Sequence, residues 1–235
     1  MAATAPRFDV VAFDADDTLW HSEDSFHVVE ARFTELIGPF APDGIDVAAA
    51  LRAMERAQLP IAGYGVKAFT LSMVKAAIAV TDAAVPAAVI GQLVDSGMAM
   101  LTETVRLLPQ VPEVLAAVAA DHRLALITKG DLVHQTRKVT TSGLAHHFDA
   151  IEVVLEKDAE TYARIIGQLG VEPARFCMVG NSVRSDILPV LSLGAHAVHI
   201  PYPLLWEHEH VDHDEDLDEL ASIAELPARL LQERF

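Results

Sequence analysis

The stretch VVAFDADDTLW, residues 10–20, places three carboxylates directly behind a short apolar run. The run Val10–Phe13 is continuous and rich in β-branched residues, which is typical of a strand covered on both faces of a sheet. Asp14, Asp16 and Asp17 then follow it. Carboxylates this close disfavour one another's ionisation unless a cation or hydrogen-bond donors hold them. The stretch therefore predicts a buried strand that leads into a site for a hard cation and a charged substrate, with Asp17 interpreted as the cap of the following turn.

The composition limits the class of protein. The chain has 235 residues, of which 51% are hydrophobic, so it can fill one large core or a core with a smaller insert. With 17 Lys and Arg against 34 Asp and Glu, its net charge of −17 disfavours nucleic acids and anionic membranes as partners. It has no apolar stretch long enough for a membrane span and no signal-peptide pattern, so we expect a cytoplasmic protein. The single cysteine, Cys177, lies in an apolar run and is predicted to be a buried structural thiol.

Five apolar runs predict the strands of one sheet. They cover residues 8–13, 124–127, 150–154, 176–179 and 195–200. A helical pattern over residues 107–120 leads into the second strand, and the later strands are separated by helical patterns at residues 132–144, 159–170 and 185–194. Such alternation of strands and helices predicts an α/β fold with a Rossmann-like, doubly wound parallel sheet.

The region between the first and second strands breaks this alternation. It contains four amphipathic helical stretches, at residues 24–37, 46–58, 66–81 and 86–104. We therefore expect an inserted helical bundle. The predicted domains are a core over 1–19 and 106–235 and a helical domain over 20–105.

Polar residues follow the predicted strands at the points where the strands end. Because the carboxyl ends of parallel strands meet at one edge of a sheet, we expect these residues to converge. They are Asp14, Asp16 and Thr18 after the first strand, Thr128 and Lys129 after the second, Lys157 after the third, and Asn181 and Asp186 after the fourth.

These residue types suit the transfer of a phosphoryl group. One carboxylate can attack phosphorus as a nucleophile, and a second can protonate the leaving oxygen and later deprotonate water. A hydroxyl and a lysine can hold the phosphoryl oxygens. Carboxylate and amide oxygens suit Mg²⁺, which is the predicted cofactor.

The order of the motifs resembles that of the haloacid dehalogenase-like (HAD) hydrolase superfamily, over nearly the whole chain. The matching stretches are DADDT (14–18) for the Asp-x-Asp-x-Thr signature, ITKG (127–130) for the second motif, Lys157 for the third, and VGNSVRSDI (179–187) for the fourth. The helical insert lies where one large subgroup of that family carries a cap domain. The resemblance implies a capped phosphatase.

The resemblance also implies a role for each residue of the first three motifs. Asp14 corresponds to the nucleophile and Asp16 to the general acid/base. Thr128 corresponds to a phosphate ligand, and Lys157 to the lysine of the third motif. Lys129, next to Thr128, is a further candidate for substrate binding.

The resemblance implies a magnesium site built from the first and fourth motifs. Its ligands would be the Asp14 side chain, the Asp16 backbone carbonyl, Asn181 and Asp186. Asn181 departs from the family pattern, which has an aspartate there. An amide oxygen is still a hard ligand, but it brings no charge.

The helical domain is expected to select the substrate. Its loop GYGVK, residues 63–67, offers Tyr64 and Lys67 as candidate substrate-binding residues. A capped site favours a small-molecule phosphate ester over a protein or nucleic acid. The FDADDTL stretch resembles the branch that includes nucleotide phosphatases, which favours a 5′-nucleotidase-like activity.

Three alternatives stay open within this fold. A 2-haloacid dehalogenase needs no acid to protonate a leaving oxygen, so Asp16 argues against it. A sugar phosphomutase shares both acids of the first motif. A non-catalytic phosphate-binding homologue is suggested by Asn181, although the chain retains Asp14, Asp16 and Lys157.

The acidic segment 207–219 carries His208, His210 and His213 among eight acids. Their spacing does not match a zinc-binding pattern. We interpret this segment as a solvated acidic loop.

Overall fold

The computed structural model describes residues 6–204, 206, 209–213 and 215–232. The chain divides into two compact units. The first consists of the described residues of Met1–Glu23, Val105–Lys129 and Gln135–Phe235, and the second of Asp24–Thr104 with Gly130–His134. Within the described ranges, no helix is both long and apolar enough to cross a membrane.

The first unit is built on a five-stranded parallel sheet, which confirms the predicted α/β fold. The strand order is β3-β2-β1-β4-β5, so β1 lies at the centre. The strands are β1 (Val10–Phe13), β2 (Arg123–Lys129), β3 (Ala150–Val154), β4 (Phe176–Gly180) and β5 (His196–His199).

Two apolar layers cover the sheet, because alternate residues of each strand face opposite sides. Val11 and Phe13 of β1 pack in one layer, while Val10 and Ala12 pack in the other. Each fully buried Val or Phe side chain stabilises the fold by roughly 1.5–3 kcal/mol. Cys177 lies fully buried in β4, as predicted, and burial raises the pKa of its thiol to about 12.

The helices of the first unit alternate with the strands, and they differ from the prediction at several places, including α9, which was not predicted. They are α5 (Val111–Ala119), α6 (Leu132–Thr141, whose first residues belong to the second unit), α7 (Ala159–Leu169), α8 (Leu188–Leu191) and α9 (Leu226–Gln232). The predicted helix 107–120 begins only at Val111, because Gln110 has a left-handed backbone and Leu108 N donates a hydrogen bond to Leu19 O at 2.9 Å. The predicted helix 185–194 is preceded by a π-helical turn, Val183–Ile187.

The second unit contains the predicted helical bundle. Its helices are α1 (Glu23–Ile37, whose first residue lies in the first unit), α2 (Val47–Ala62), α3 (Val66–Val80) and α4 (Ala87–Thr102). They enclose an apolar core with Phe33, Leu51, Met73 and Leu93 fully buried. Helix α2 continues past Pro60, beyond its predicted end at residue 58.

Candidate active site

The predicted site residues of the first unit lie at the carboxyl ends of the strands. Asp14 directly follows β1, and its backbone N–H donates to Val179 O of the neighbouring strand β4 at 2.9 Å. Thr128 is the second-last residue of β2, and Lys157 comes three residues after β3. Since all these strands are parallel, the sheet brings the side chains to one edge.

Asp14, Lys157 and Asp186 form a buried group of three charges. Lys157 Nζ donates to Asp14 Oδ1 and, at 2.6 Å, to Asp186 Oδ1. Burial raises the pKa of Asp14 to about 7, even though Lys157 favours its ionised form. Burial alone would lower the pKa of Lys157, but the two carboxylates raise it above its usual range. The lysine therefore stays charged between two acids, and the group carries an excess negative charge when both acids are ionised.

The position of Asp186 depends on the π-helical turn and on Gly180. Ser182 N, at the start of that turn, donates to Asp186 Oδ2 at 3.0 Å. A Cβ atom placed on Gly180 would lie 2.3 Å from Asp186 Cγ. Only glycine therefore allows the end of β4 to approach the carboxyl group this closely.

Asp16 has its own set of donors. Lys138 Nζ and Trp20 Nε1 each lie 2.5 Å from its Oδ1, and Gln135 Nε2 lies 3.0 Å from its Oδ2. Burial tends to raise the pKa of Asp16, but the Lys138 charge and the three donors outweigh it and leave this pKa below its usual range. Asp16 is thus held as a carboxylate, whereas the pKa of Asp14 is raised.

The side-chain amide of Gln135 contacts both Thr128 and Asp16. Gln135 Nε2 lies 2.7 Å from Thr128 Oγ1, 2.9 Å from Lys129 O and 3.0 Å from Asp16 Oδ2, so its two N–H groups are shared among three oxygens. The Gln135 side chain is buried. The predicted general acid/base and the predicted phosphate ligand therefore share a partner.

Asp17 has a structural role, which confirms its interpretation as a cap. Its carboxylate accepts hydrogen bonds from Ser22 N at 2.8 Å and from Glu23 N at 3.1 Å, at the start of α1. Its backbone has a φ of 63°, a left-handed conformation that aspartate tolerates in turns. Burial and the neighbouring Asp16 raise the pKa of Asp17 to about 7.

Lys129 is paired with the acidic segment. Its Nζ lies 2.6 Å from Glu209 Oε1 and 2.8 Å from Ser185 Oγ, while Ser185 and Ser182 both donate to Glu209 Oε2. Burial tends to raise the pKa of Glu209, but Lys129 and the hydroxyl donors lower it below its usual range. The prediction of a solvated loop is therefore wrong for Glu209, while His208 lies outside the described residues.

The residues present fit a magnesium ion. Among the residues that the structure describes, no group of three His, Cys, Asp or Glu side chains could hold a metal ion by itself, so a site here would also use the Asn181 amide and the Asp16 backbone carbonyl. The candidate ligands are two carboxylates and an amide, because Asp14 and Asp186 face the same ammonium group and Asn181 Oδ1 accepts a hydrogen bond from Thr18 Oγ1 at 3.2 Å. These are hard oxygen donors of the type that Mg²⁺ prefers.

The two candidates from the helical domain lie in the second unit. Lys67 is exposed, and its Nζ lies 2.9 Å from Asp131 Oδ1 of the same unit. Tyr64 is half-buried and precedes Gly65, the residue at the start of α3. Their role in substrate selection stays a prediction.

The sequence reasoning missed Gln135 and Lys138. Both lie on α6, three residues apart, so they share one face of the helix. A polar pair with this spacing in the helix after the second motif was the available signal. The pairing of Glu209 with Lys129 had no comparable signal, because 80 residues separate them along the chain.

Comparison with known proteins gives one family. A family model described as haloacid dehalogenase-like hydrolase matches residues 8–194. Glyceraldehyde 3-phosphate phosphatase from Methanothermobacter thermautotrophicus is 31% identical over 97 residues, which are 39% of this chain and 43% of that protein. The match thus spans less than half of that relative.

Solved structures agree with this match. A haloacid dehalogenase-like family hydrolase from Xanthomonas campestris is 39% identical, with a TM-score of 0.87 over 99% of this chain and 97% of its own. A 2-haloacid dehalogenase from Pseudomonas syringae is 20% identical, with a TM-score of 0.66 over 96% of this chain and 99% of its own. The second likeness concerns the fold alone.

Proposed function

Because this chain belongs to the haloacid dehalogenase-like hydrolase family, we propose that it is a Mg²⁺-dependent phosphatase acting on a small phosphomonoester. The observation that carries the proposal is the placement of Asp16. It lies two residues after Asp14 and is linked through Gln135 to Thr128. A dehalogenase has no leaving oxygen to protonate, so a dedicated second carboxylate would have no function in it.

In the first half of the proposed reaction, an oxygen of the Asp14 carboxylate attacks phosphorus. The negative charge of the bound phosphate raises the pKa of Asp16 against the effect of its donors, so that Asp16 carries a proton. The bond between phosphorus and the leaving oxygen breaks, and Asp16 donates its proton to that oxygen. Thr128 and Lys157 hold the phosphoryl oxygens, because a hydroxyl and a buried ammonium stabilise the negative charge of the transition state. The product of this half is an aspartyl-phosphate on Asp14 and a free alcohol.

In the second half, Asp16 takes a proton from water and the resulting hydroxide attacks phosphorus. The bond between phosphorus and the Asp14 oxygen breaks, which releases inorganic phosphate and restores both carboxyl groups. The Asp14 side chain, the Asp16 backbone carbonyl, Asn181 and Asp186 would hold Mg²⁺, and its charge would offset the repulsion between the acids and the phosphate.

The substrate is proposed to be a small metabolite, with the helical region 20–105 acting as a cap and Tyr64 and Lys67 contributing to selection. The curated relative named glyceraldehyde 3-phosphate phosphatase supports a short sugar phosphate as one candidate. The first-motif stretch supports a nucleoside 5′-monophosphate as another. Both belong in the first panel of substrates.

The test is phosphate release from that panel, with Mg²⁺ and with a chelator, for the wild type and for Asp14→Asn. We expect release that requires the metal and that falls at least about 10⁴-fold in the variant, the scale of loss on removing a nucleophile. The matched control is Asp9→Asn, since Asp9 directly precedes the opposite end of β1 and pairs with Arg175 at the surface. It should keep wild-type activity.

Other results of this test would favour the alternatives. Chloride release from 2-chloropropionate without phosphatase activity would favour a dehalogenase. Conversion of a sugar phosphate to its isomer, with no net phosphate release, would favour a mutase. Equal activity in wild type and Asp14→Asn would overturn the proposed mechanism.

A further inference from the structure

One face of helix α6 is directed at Asp16. Lys138 Nζ lies 2.5 Å from Asp16 Oδ1, and Gln135 Nε2 lies 3.0 Å from Asp16 Oδ2. Lys138 keeps only 14% of its side chain exposed, and Gln135 is 2% exposed. Long polar side chains lose rotamer entropy when they are buried, so two of them on one carboxylate need a compensating contact or a function.

The donors are divided unequally between the two oxygens of Asp16. Oδ1 receives Lys138 Nζ and Trp20 Nε1, whereas Gln135 Nε2 is the only donor to Oδ2 among the residues that the structure describes. A carboxylate oxygen accepts about two hydrogen bonds, so Oδ1 is saturated and Oδ2 keeps a free lone pair. Donors on both oxygens also fix the plane of the carboxyl group.

We infer that Lys138 and Gln135 are positioning residues for Asp16, an inference that rests on the proposed phosphatase function. They turn Oδ2 toward the reacting groups as the oxygen that carries the transferred proton. Gln135 also donates to Thr128 Oγ1 at 2.7 Å, so a single amide sets the separation between the general acid/base and the phosphate ligand. Errors of about 1 Å in such a placement cost roughly 10²-fold in rate.

The test compares a substrate whose leaving group needs a proton from the general acid with one whose leaving group does not. Two aryl phosphates of nearly equal size serve as probes: 4-nitrophenyl phosphate, whose leaving group departs readily without a proton, and phenyl phosphate, whose leaving group needs one. The value of kcat/KM is measured for both in the presence of Mg²⁺. This quantity covers the steps up to transfer of the phosphoryl group and omits the later release of phosphate.

The variants are Lys138→Met and Gln135→Leu, with Lys138→Arg as the conservative replacement. In the first two, we expect kcat/KM for phenyl phosphate to fall about 10- to 100-fold, part of the 10²–10⁴-fold that general acid–base catalysis supplies. In Lys138→Met, the loss for 4-nitrophenyl phosphate should stay below about threefold, because this leaving group hardly depends on the proton. In Gln135→Leu, which also loses the contact with Thr128, this loss should be larger but still smaller than the loss for phenyl phosphate. Lys138→Arg should restore most of the loss. Lys75→Met, the same change at an exposed lysine of α3, should leave both values unchanged.

A second measurement separates positioning from folding. Asp16→Asn should show the same selective loss, and the double variant Asp16→Asn/Lys138→Met should lose no more than Asp16→Asn alone, since Lys138 acts through Asp16. Equal losses for both probes, or additive losses in the double variant, would overturn the inference while leaving the phosphatase function intact. A wild type that hydrolyses neither probe nor any member of the substrate panel would instead overturn the proposed function, and this inference with it.

Discussion

The two units of this protein differ in what they bury. The described part of the sheet unit buries four charged side chains at the carboxyl ends of its strands, namely Asp14, Asp17, Lys157 and Asp186. Among the described residues of the helical unit, the buried polar side chains are Ser72 and Thr81, and Thr81 satisfies its hydroxyl on Ala77 O at 2.8 Å. A buried charge costs free energy unless partners hold it, so the charges at the carboxyl ends of the strands lower the stability of the sheet unit. The difference locates the candidate chemistry in the sheet unit and indicates that the interior of the helical unit serves packing alone.

The largest expected effect comes from removing the buried lysine of the sheet unit. Lys157→Met leaves Asp14 and Asp186 without their shared cation, so we expect a loss of about 3–5 kcal/mol in the free energy of unfolding. Because Lys157 is also proposed to hold the phosphoryl oxygens, kcat should fall about 10²–10³-fold. Phosphate release and urea unfolding measure the two effects.

The matched variant in the helical interior is Met73→Ala. Met73 is fully buried among apolar side chains, so its truncation should lower the free energy of unfolding by about 2–5 kcal/mol. Its kcat, measured where the variant is folded, should match the wild type. A large fall in this kcat would break the distinction between the two interiors.

The same substitution, glycine to alanine, can be made in both units. In Gly180→Ala the new Cβ meets Asp186 Cγ at 2.3 Å, and in Gly97→Ala of α4 it meets Thr70 Oγ1 of α3 at 2.0 Å. We expect Gly180→Ala to displace a site carboxylate and reduce kcat about 10²-fold. Gly97→Ala overpacks a contact between helices and should cost about 1–3 kcal/mol of stability, with kcat unchanged.

Measuring kcat and thermal unfolding for both glycine variants decides the point. If the two variants lost activity equally, the close approach at Gly180 would have no special connection with the site. If Gly97→Ala were as stable as the wild type, the packing of α3 against α4 would be looser than the structure shows.

The smallest expected effect concerns the acidic segment. Glu209→Gln removes the negative charge that pairs with Lys129, so this charge no longer competes with an anion for the ammonium group. We expect inorganic phosphate to inhibit this variant about fivefold more strongly, which corresponds to ~1 kcal/mol. Glu215→Gln changes an exposed acid of the same segment and serves as the control. An unchanged inhibition constant in Glu209→Gln would show that Lys129 does not face the anion.

Most of the fold followed from short apolar runs. A strand such as β1 is covered on both faces, so its residues are all apolar and the run is visible without any long-range information. The boundaries were less predictable where a tertiary contact decides them. Val111 begins α5 because Leu108 bonds to the backbone of Leu19, and nothing in the residues 107–110 themselves indicates that contact.

The candidate site was predictable only in part, for a similar reason. Residues at or just beyond the carboxyl ends of strands, such as Asp14, Asp16 and Thr128, are placed by the topology of a parallel sheet. Lys138 reaches Asp16 from the middle of a helix, and Glu209 reaches Lys129 from a segment whose composition suggested solvent exposure. Such contacts depend on how helices and loops pack, which a single sequence does not contain.

The central position of β1 has a consequence for synthesis of the protein on the ribosome. Phe13 ends this strand, but its neighbour β2 begins only at Arg123 and its other neighbour β4 at Phe176. At about 5–20 residues per second, the strand emerges roughly 5 to 20 seconds before its first partner. Helices α1 to α4 are made during this interval, and contacts between neighbouring helices form quickly because they are local. The length of the helical insert thus determines how long an apolar strand, unpaired on both edges, stays exposed to chaperones and to other nascent chains.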